Sequence, residues 1–306
     1  MAMDFYSQIS ENKKMTYFLF AAFFILIGIL AFFMSILLGG LNVYGFGYFT
    51  FFGILIIIFA LISYYSCDSI VTMVSGAKVA DPKIYKQLYN IVEELSIASG
   101  LPMPKVFLIN DSAINAFATG RDPEHAVICV TTGCLDRLTR DELQGVVAHE
   151  LSHIRNYDIR TMTIATVLVG IAVLLSDLIL RFTLFSHGGS SDSKDNKLYF
   201  VLIIVALILA VLTPLIANLI KLAVSRKREF MADASAVELT RNPLGLASAL
   251  EKISEDTEPL EAANKATAHL YISDPLKNTK GMWLKSMFST HPPIQTRINA
   301  LKGIKD

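Results

Sequence analysis

The 306-residue chain is 53% hydrophobic and only 18% charged, and its net charge is zero. That is too apolar for an ordinary water-soluble domain and points to a membrane protein, and the balanced charge gives no basis for a nucleic-acid partner. Its three cysteines, Cys67, Cys129 and Cys134, form no C-x-x-C pair, so they predict reduced, packed thiols and not a disulfide framework.

Residues 1–15 are polar, with Lys13 and Lys14 just ahead of an uncharged run from 17 to 38. That run is long enough to cross a hydrocarbon core as a helix, too long for a signal-peptide core, and followed by no small-residue cleavage site. Gly39, Gly40 and Asn42 mark a turn, and a second uncharged run, 46–65, completes a membrane hairpin over residues 1–66. The connecting loop has no Lys or Arg, whereas Lys13, Lys14, Lys78, Lys83 and Lys86 lie outside it. The positive-inside rule therefore puts the N-terminus and the segment after residue 66 in the cytoplasm.

Residues 67–160 read as the first piece of a soluble domain. Asp81-Pro82 opens an amphipathic helix with Tyr85, Leu88, Ile91, Val92 and Leu95 on one face, ended by Gly100. Strands are predicted at 105–109 and 126–131, with a third at 114–120 that ends in a turn at Gly120-Arg121-Asp122-Pro123. A small sheet of this kind can take an extended peptide by strand addition at its edge. By residue type alone, the plainer reading of Asn115 is a turn or edge-strand residue with no ligand role.

Thr139 and Glu142 form a capping-box pattern that starts the next helix, and Leu143, Val146 and Val147 follow with helical spacing. On this helix lies His149-Glu150-Leu151-Ser152-His153. Positions i and i+4 share a helix face, so both imidazoles can address one ion. Zinc accepts such ligands at about 2.0–2.1 Å, and Glu150 is placed to act as base on a zinc-bound water. After His153 the helix is predicted to run on through Arg155 and Arg160 into a third membrane span, 161–180, with Asp177 near its far end. Residues 187–196, including His187, make a polar external loop. A fourth span, 198–220, contains Pro214 and Asn218 and is followed by the internal flank Lys221, Arg226, Lys227 and Arg228.

The second soluble piece, 221–306, has a helix at 229–237, another from Pro243 with Leu244, Leu246, Leu250 and Ile253, and a last one at 293–301. Between them, 254–281 mixes charges with Asn, Asp and Gly and is a candidate lid. The fold class expected is an integral membrane protein, mainly α: four transmembrane helices and a cytoplasmic α+β zincin-like domain with a small sheet. That domain is built from 67–160 and 221–306, on either side of the hairpin at 161–220.

Two histidines leave a hydrolytic zinc site one protein ligand short. Asn156 and Ile159 stand where the metzincin pattern needs Gly and His. His125, His187, His269 and His291 are the remaining histidines. The helix after the fourth span offers Glu229, with Asp233 four residues on and able to accept the outer N–H of a ligating histidine. Glu229 sits among Arg226, Lys227 and Arg228, where a surface ion pair is the plainer reading, and Arg297 is equally a simple ion-pair residue.

Three stretches together carry a resemblance: 147–153, then Ser225-Arg226-Lys227-Arg228-Glu229-Phe230-Met231-Ala232-Asp233, then Ser289-Thr290-His291-Pro292-Pro293 with Arg297. They resemble the signatures of the HtpX-type membrane zinc metalloproteases, relatives of the CaaX prenyl proteases, and Asn115-Ala116-Phe117-Ala118 is similar to that family's edge strand. The resemblance spans about the whole chain. It implies one zinc ion per chain held by His149, His153 and Glu229, with Glu150 as general base and Asp233 supporting a ligand. It also implies that His291 donates to the oxyanion, that Arg297 orients His291 or a main-chain carbonyl, and that substrate lies along Asn115 and Ala116. Further implied are a multi-pass protein of the cell (inner) membrane with active site and both termini cytoplasmic, membrane and membrane-associated proteins as substrates, and a role in proteolytic quality control. Two other readings are a CaaX-type processing protease and a non-proteolytic membrane zinc-binding protein. Four spans do not easily enclose a chamber, which disfavours the first. The near-absence of ionisable residues in the spans disfavours zinc transport.

Overall fold

The computed structural model describes residues 43–164, 226–261, 267–273, 275 and 292–303, with a few isolated positions besides. Helix α1 (Val43–Tyr65) leads into α2 (Cys67–Val74). Strand β1 (Lys78–Val79) was not expected: two exposed residues give no alternation to read. Helix α3 (Lys86–Ser99) opens later than the Asp81-Pro82 signal suggests, because Asp81 holds a turn. Its carbonyl accepts from Ile84 and Tyr85 and its carboxylate from the Lys83 N–H. Leu88, Ile91, Val92 and Leu95 are buried as their spacing requires, and Gly100, at φ 68°, ends the helix in the left-handed conformation glycine tolerates best.

Strands β2 (Lys105–Ile109), β3 (Ala116–Thr119) and β4 (Val127–Thr131) follow. The sheet order is β1-β2-β4-β3. β2 runs parallel to β4 with Lys105 opposite Val127, and β3 runs antiparallel to β4 with Ala116 opposite Val130. Every residue of β4 is buried, as a strand covered on both faces must be. Ile128 and Val130 point into a large apolar core with Leu88, Leu143 and Leu250, whereas Val127 and Cys129 point into a second cluster with Phe117 and Tyr271. The three cysteines are free and buried.

Helices α4 (Thr132–Arg137) and α5 (Arg140–Arg155) follow the sheet, and α5 packs against β3 and β4. Then come α6 (Arg226–Thr240), α7 (Pro243–Glu255) and α8 (Ile294–Leu301). The large core draws on both sequence pieces, with Val147 and Leu151 of α5 beside Ala236 of α6, Leu250 of α7 and Ile298 of α8.

One expectation is corrected. The helix carrying the two histidines does not run unbroken to Arg160. It ends at Arg155, Asn156 and Tyr157 form a turn, and helical structure resumes at 158–164. Tyr157 takes φ 60°, a left-handed conformation that a bulky side chain adopts rarely and at some cost. Among the described residues no helix is long and apolar enough to cross a membrane. The runs expected to span at 17–38, 161–180 and 198–220 fall almost wholly outside the described residues, as do the loop at 187–196 and His291, while the run at 46–65 lies within α1.

Candidate metal centre

Helix α5 is fixed at its start by Thr139 and Glu142. The Thr139 hydroxyl accepts the Glu142 N–H, and the Glu142 carboxylate accepts the Thr139 N–H at 2.7 Å. From there α5 runs buried from Gly145 through Ile154, so its polar residues His149, Glu150 and His153 stand in the interior at 1–5% exposure. Burial on that scale demands partners.

The partners come from α6, from α8 and from the helical segment that resumes at 158. His149 Nε2 and His153 Nε2 lie 3.2 Å apart, and each faces a different oxygen of Glu229, at 3.8 and 3.6 Å. These three residues are the group of described residues able to hold one ion, their ligand atoms all within 4.8 Å of one another. The fit to a metal is good. Tetrahedral zinc with nitrogens at about 2.05 Å would separate them by about 3.3 Å, close to the spacing seen. Two facing Nε2 atoms at this distance cannot both carry protons, whereas one cation between them satisfies both.

Behind each histidine stands a carboxylate. His149 Nδ1 is 2.9 Å from Asp233 Oδ1, and His153 Nδ1 is 3.0 Å from Asp158 Oδ2. Each carboxylate accepts the Nδ1–H, which turns the Nε2 lone pair towards the centre. Arg297, 1% exposed, donates to both oxygens of Asp233 at 2.7 and 2.8 Å and lies 3.5 Å from Glu229. Burial pushes the Asp233 carboxyl up, but Arg297 and His149 outweigh it and hold it at about 2. Burial with the nearby Arg297 charge lowers His149. His153 goes the other way, to about 9: burial lowers it, but Asp158, Glu229 and Glu150 raise it further.

Glu150 points into the same space. Its Oε1 is buried with no hydrogen-bond partner among the described residues. Burial and the neighbouring Glu229 raise its carboxyl to about 7, against the opposing pull of His153, the Ala118 amide and Arg297. An orphaned acceptor beside a ligand set suits a carboxylate whose partner is a reacting molecule.

Of the residues singled out in the sequence, His149, Glu150, His153, Glu229, Asp233 and Arg297 thus come together. Arg297 meets Asp233 and the carbonyl of Ile272. Asn115 and Ala116 lie at the sheet edge beside α5, where Asn115 Oδ1 accepts the Ala116 N–H at 3.1 Å and its amide reaches Ser273. From the sequence, Asn156 and Asp158 read as pairing locally just past the motif, and the hold of Asp158 on His153 is missed. Its only signal was a carboxylate five positions after His153, which an unbroken helix would carry away from the imidazole.

Two imidazoles and a carboxylate around one point, with a second carboxylate buried alongside and a strand edge next to it, make the equipment of a metallopeptidase. The comparison with known families agrees: the chain belongs to peptidase family M48, whose sequence pattern matches residues 82–305. It is 45% identical over 255 residues to a "Protease HtpX homolog" of Caldanaerobacter subterraneus subsp. tengcongensis, covering 83% of this chain and 84% of the relative. A "Protease HtpX homolog" of Dictyoglomus thermophilum is 45% identical over 305 residues, covering 97% and 94%. Among solved structures, Ste24p of S. mikatae shares the fold at a TM-score of 0.50 and 19% identity. The match covers 90% of this chain, which spans 61% of that longer one.

Proposed function

We propose that the chain is a zinc endopeptidase anchored in the cell (inner) membrane, with both soluble pieces and both termini in the cytoplasm, acting on membrane-associated or misfolded proteins. The observation that carries the reaction is the convergence of His149, His153 and Glu229 beside the unpartnered Glu150 oxygen. Two imidazoles and a carboxylate, all three buried, are a donor set that zinc favours. The membrane reading is supported by the apolar composition and by the exposure of large apolar side chains on α1, Phe46, Ile54, Ile57 and Leu61 among them.

Zinc bound by His149, His153 and Glu229 would polarise the scissile carbonyl and make water acidic enough to attack near neutral pH. Glu150 takes the proton of the attacking water and delivers it to the leaving amine, a task suited to a carboxyl whose surroundings raise its proton affinity towards neutrality. Asp233 and Asp158 keep both imidazoles in the ligating tautomer. Asn115 and Ala116 offer main-chain recognition at the sheet edge, which reads shape more than sequence and suits varied, unfolded substrates. His291 is proposed to donate to the oxyanion.

The test pairs metal analysis with cleavage of an unfolded protein. Glu150→Gln should keep zinc and lose about 10²–10⁴-fold in turnover. Normal turnover by that variant would sink the mechanism, and a parent protein that binds no zinc would sink the metal reading.

A further inference from the structure

Strand β3 is the last in the sheet, yet its outer edge is covered. Asn115 pairs with Thr131 across the ladder, so Ala116 turns its carbonyl away from β4. That carbonyl accepts the N–H of Ile272 at 3.0 Å. One residue on, the Asn115 side-chain amide donates to the Ser273 carbonyl at 3.3 Å. The Ile272 carbonyl accepts from Arg297 Nη1 at 3.1 Å, the same guanidinium that grips Asp233 behind His149. Side chains alternate as in a strand. Tyr271 packs on Phe117 edge-to-face, with centroids 5.0 Å apart, in the second cluster, whereas Ile272, 2% exposed, enters the large core shared with Ala148 and Leu151 of the metal helix. A short segment of the chain is thus bonded to the strand edge beside the candidate metal residues and held by the arginine that supports them.

We propose that Tyr271–Ser273 occupies the place of an extended substrate segment, and that the space filled by Ile272 is the pocket that selects a substrate side chain, an aliphatic one of about isoleucine's size. This rests on the peptidase reading of the centre and adds to it a substrate class and a competitor. Substrate must displace the chain's own segment, so its apparent affinity falls by the fraction of molecules in which the edge is clear. A polypeptide that presents an extended aliphatic stretch can compete, and a folded protein, whose strands are already paired, cannot.

The probe is a fluorescent peptide with the sequence of residues 270–274, Leu-Tyr-Ile-Ser-Asp, added to full-length, zinc-loaded protein carrying Glu150→Gln so that no cleavage intervenes. Ile272→Pro removes the N–H that binds Ala116. It should tighten peptide binding by at least about fivefold, the worth of one main-chain hydrogen bond, and loss of the isoleucine side chain from the pocket adds to that. A peptide with glycine in place of isoleucine should bind about tenfold or more weakly, the loss of one buried aliphatic side chain. Equal binding to parent and variant, or none to either, overturns the proposal. Should Ile272→Pro fail to fold, hydrogen exchange on the otherwise unaltered protein decides: saturating peptide should expose the Ile272 amide, and continued protection overturns the proposal. Both readouts are of binding. Failure of the peptidase reading shows separately, as absence of cleavage when Glu150 is intact.

Discussion

Asp158 and Asp233 act on opposite sides of the centre in the same way, each holding one Nδ1–H so that one Nε2 faces inward. Their support differs. Asp233 is locked by two donors from Arg297, whereas Asp158 meets Arg228 at 3.4 Å, through the residue next to Glu229. Asp158 therefore ties the turn after α5 to the start of α6 as well as steering His153. Replacing it with Asn keeps an acceptor and removes the charge. We expect Asp158→Asn to weaken zinc binding about 10-fold and Asp158→Ala up to about 100-fold, measured by competition with a chromogenic chelator. Zinc affinity unchanged in both would remove Asp158 from the centre. Glu229→Ala removes a proposed ligand itself, so it should cost more zinc affinity than either; a smaller loss would make Glu229 an ion-pair partner of Arg297 and not a ligand.

The elements carry a second kind of dependence, on how α5 is docked. Glu142 closes the capping box and also accepts from Ser248 at 2.6 Å and Lys252 at 2.7 Å, both on α7. Burial raises its carboxyl, but Lys252, Ser248 and the Thr139 amide bring it from an ordinary 4.5 down to about 2. A carboxyl depressed in the folded state adds stability above its unfolded pKa and loses it as pH falls through the folded one. Glu142→Gln should therefore cost about 1–2 kcal/mol at pH 7, a figure discounted for the partly exposed Lys252, and the difference should fade between about pH 4.5 and 2 in denaturant melts. A pH-independent difference would mean that geometry and not charge is at work. Gly145 sits where α5 meets α7: a Cβ there would lie 2.8 Å from the Leu246 backbone. Gly145→Ala should cost about 2–3 kcal/mol by forcing the helices apart, read as a lower denaturation midpoint with an unchanged slope. The local part of this docking was legible in the sequence. The capping box, the α3 stripe and strands β2 and β4 depend on near neighbours and read correctly to within a few residues. The break at Asn156-Tyr157 was not, because neither Gly nor Pro marks it and Tyr157 is held at positive φ by its surroundings. The role of Asp158 follows from that break and was hidden with it. The pairing of Ile272 with Ala116 joins residues far apart in the chain, and no periodicity records it.

At the scale of the whole molecule, the two sequence pieces on either side of 165–225 share one apolar core and one candidate metal centre. These are separate bonds between the halves, and they differ in what they respond to. The core responds to temperature and denaturant. The centre responds also to metal, since His149 and His153 come from α5 and Glu229 from α6. A ligand that binds only the folded form stabilises it by mass action, about 2.7 kcal/mol at a free concentration one hundred times its dissociation constant. Without metal, the centre keeps the carboxylates of Glu150, Glu229 and Asp233 buried around Arg297 and two imidazoles, an arrangement that packing can hold but that loses its central cation. A chelator should therefore lower the thermal midpoint of the protein without unfolding it at room temperature, and added zinc should restore it. Glu229→Ala should abolish the zinc-dependent rise while leaving the metal-free midpoint close to that of the parent, because the variant removes one buried negative charge together with the ligand. If the midpoint ignores chelator and zinc alike, the halves are joined by packing alone and the centre does not clamp them. If the metal-free protein unfolds outright, the core between α5, α6 and α7 is weaker than its depth of burial suggests.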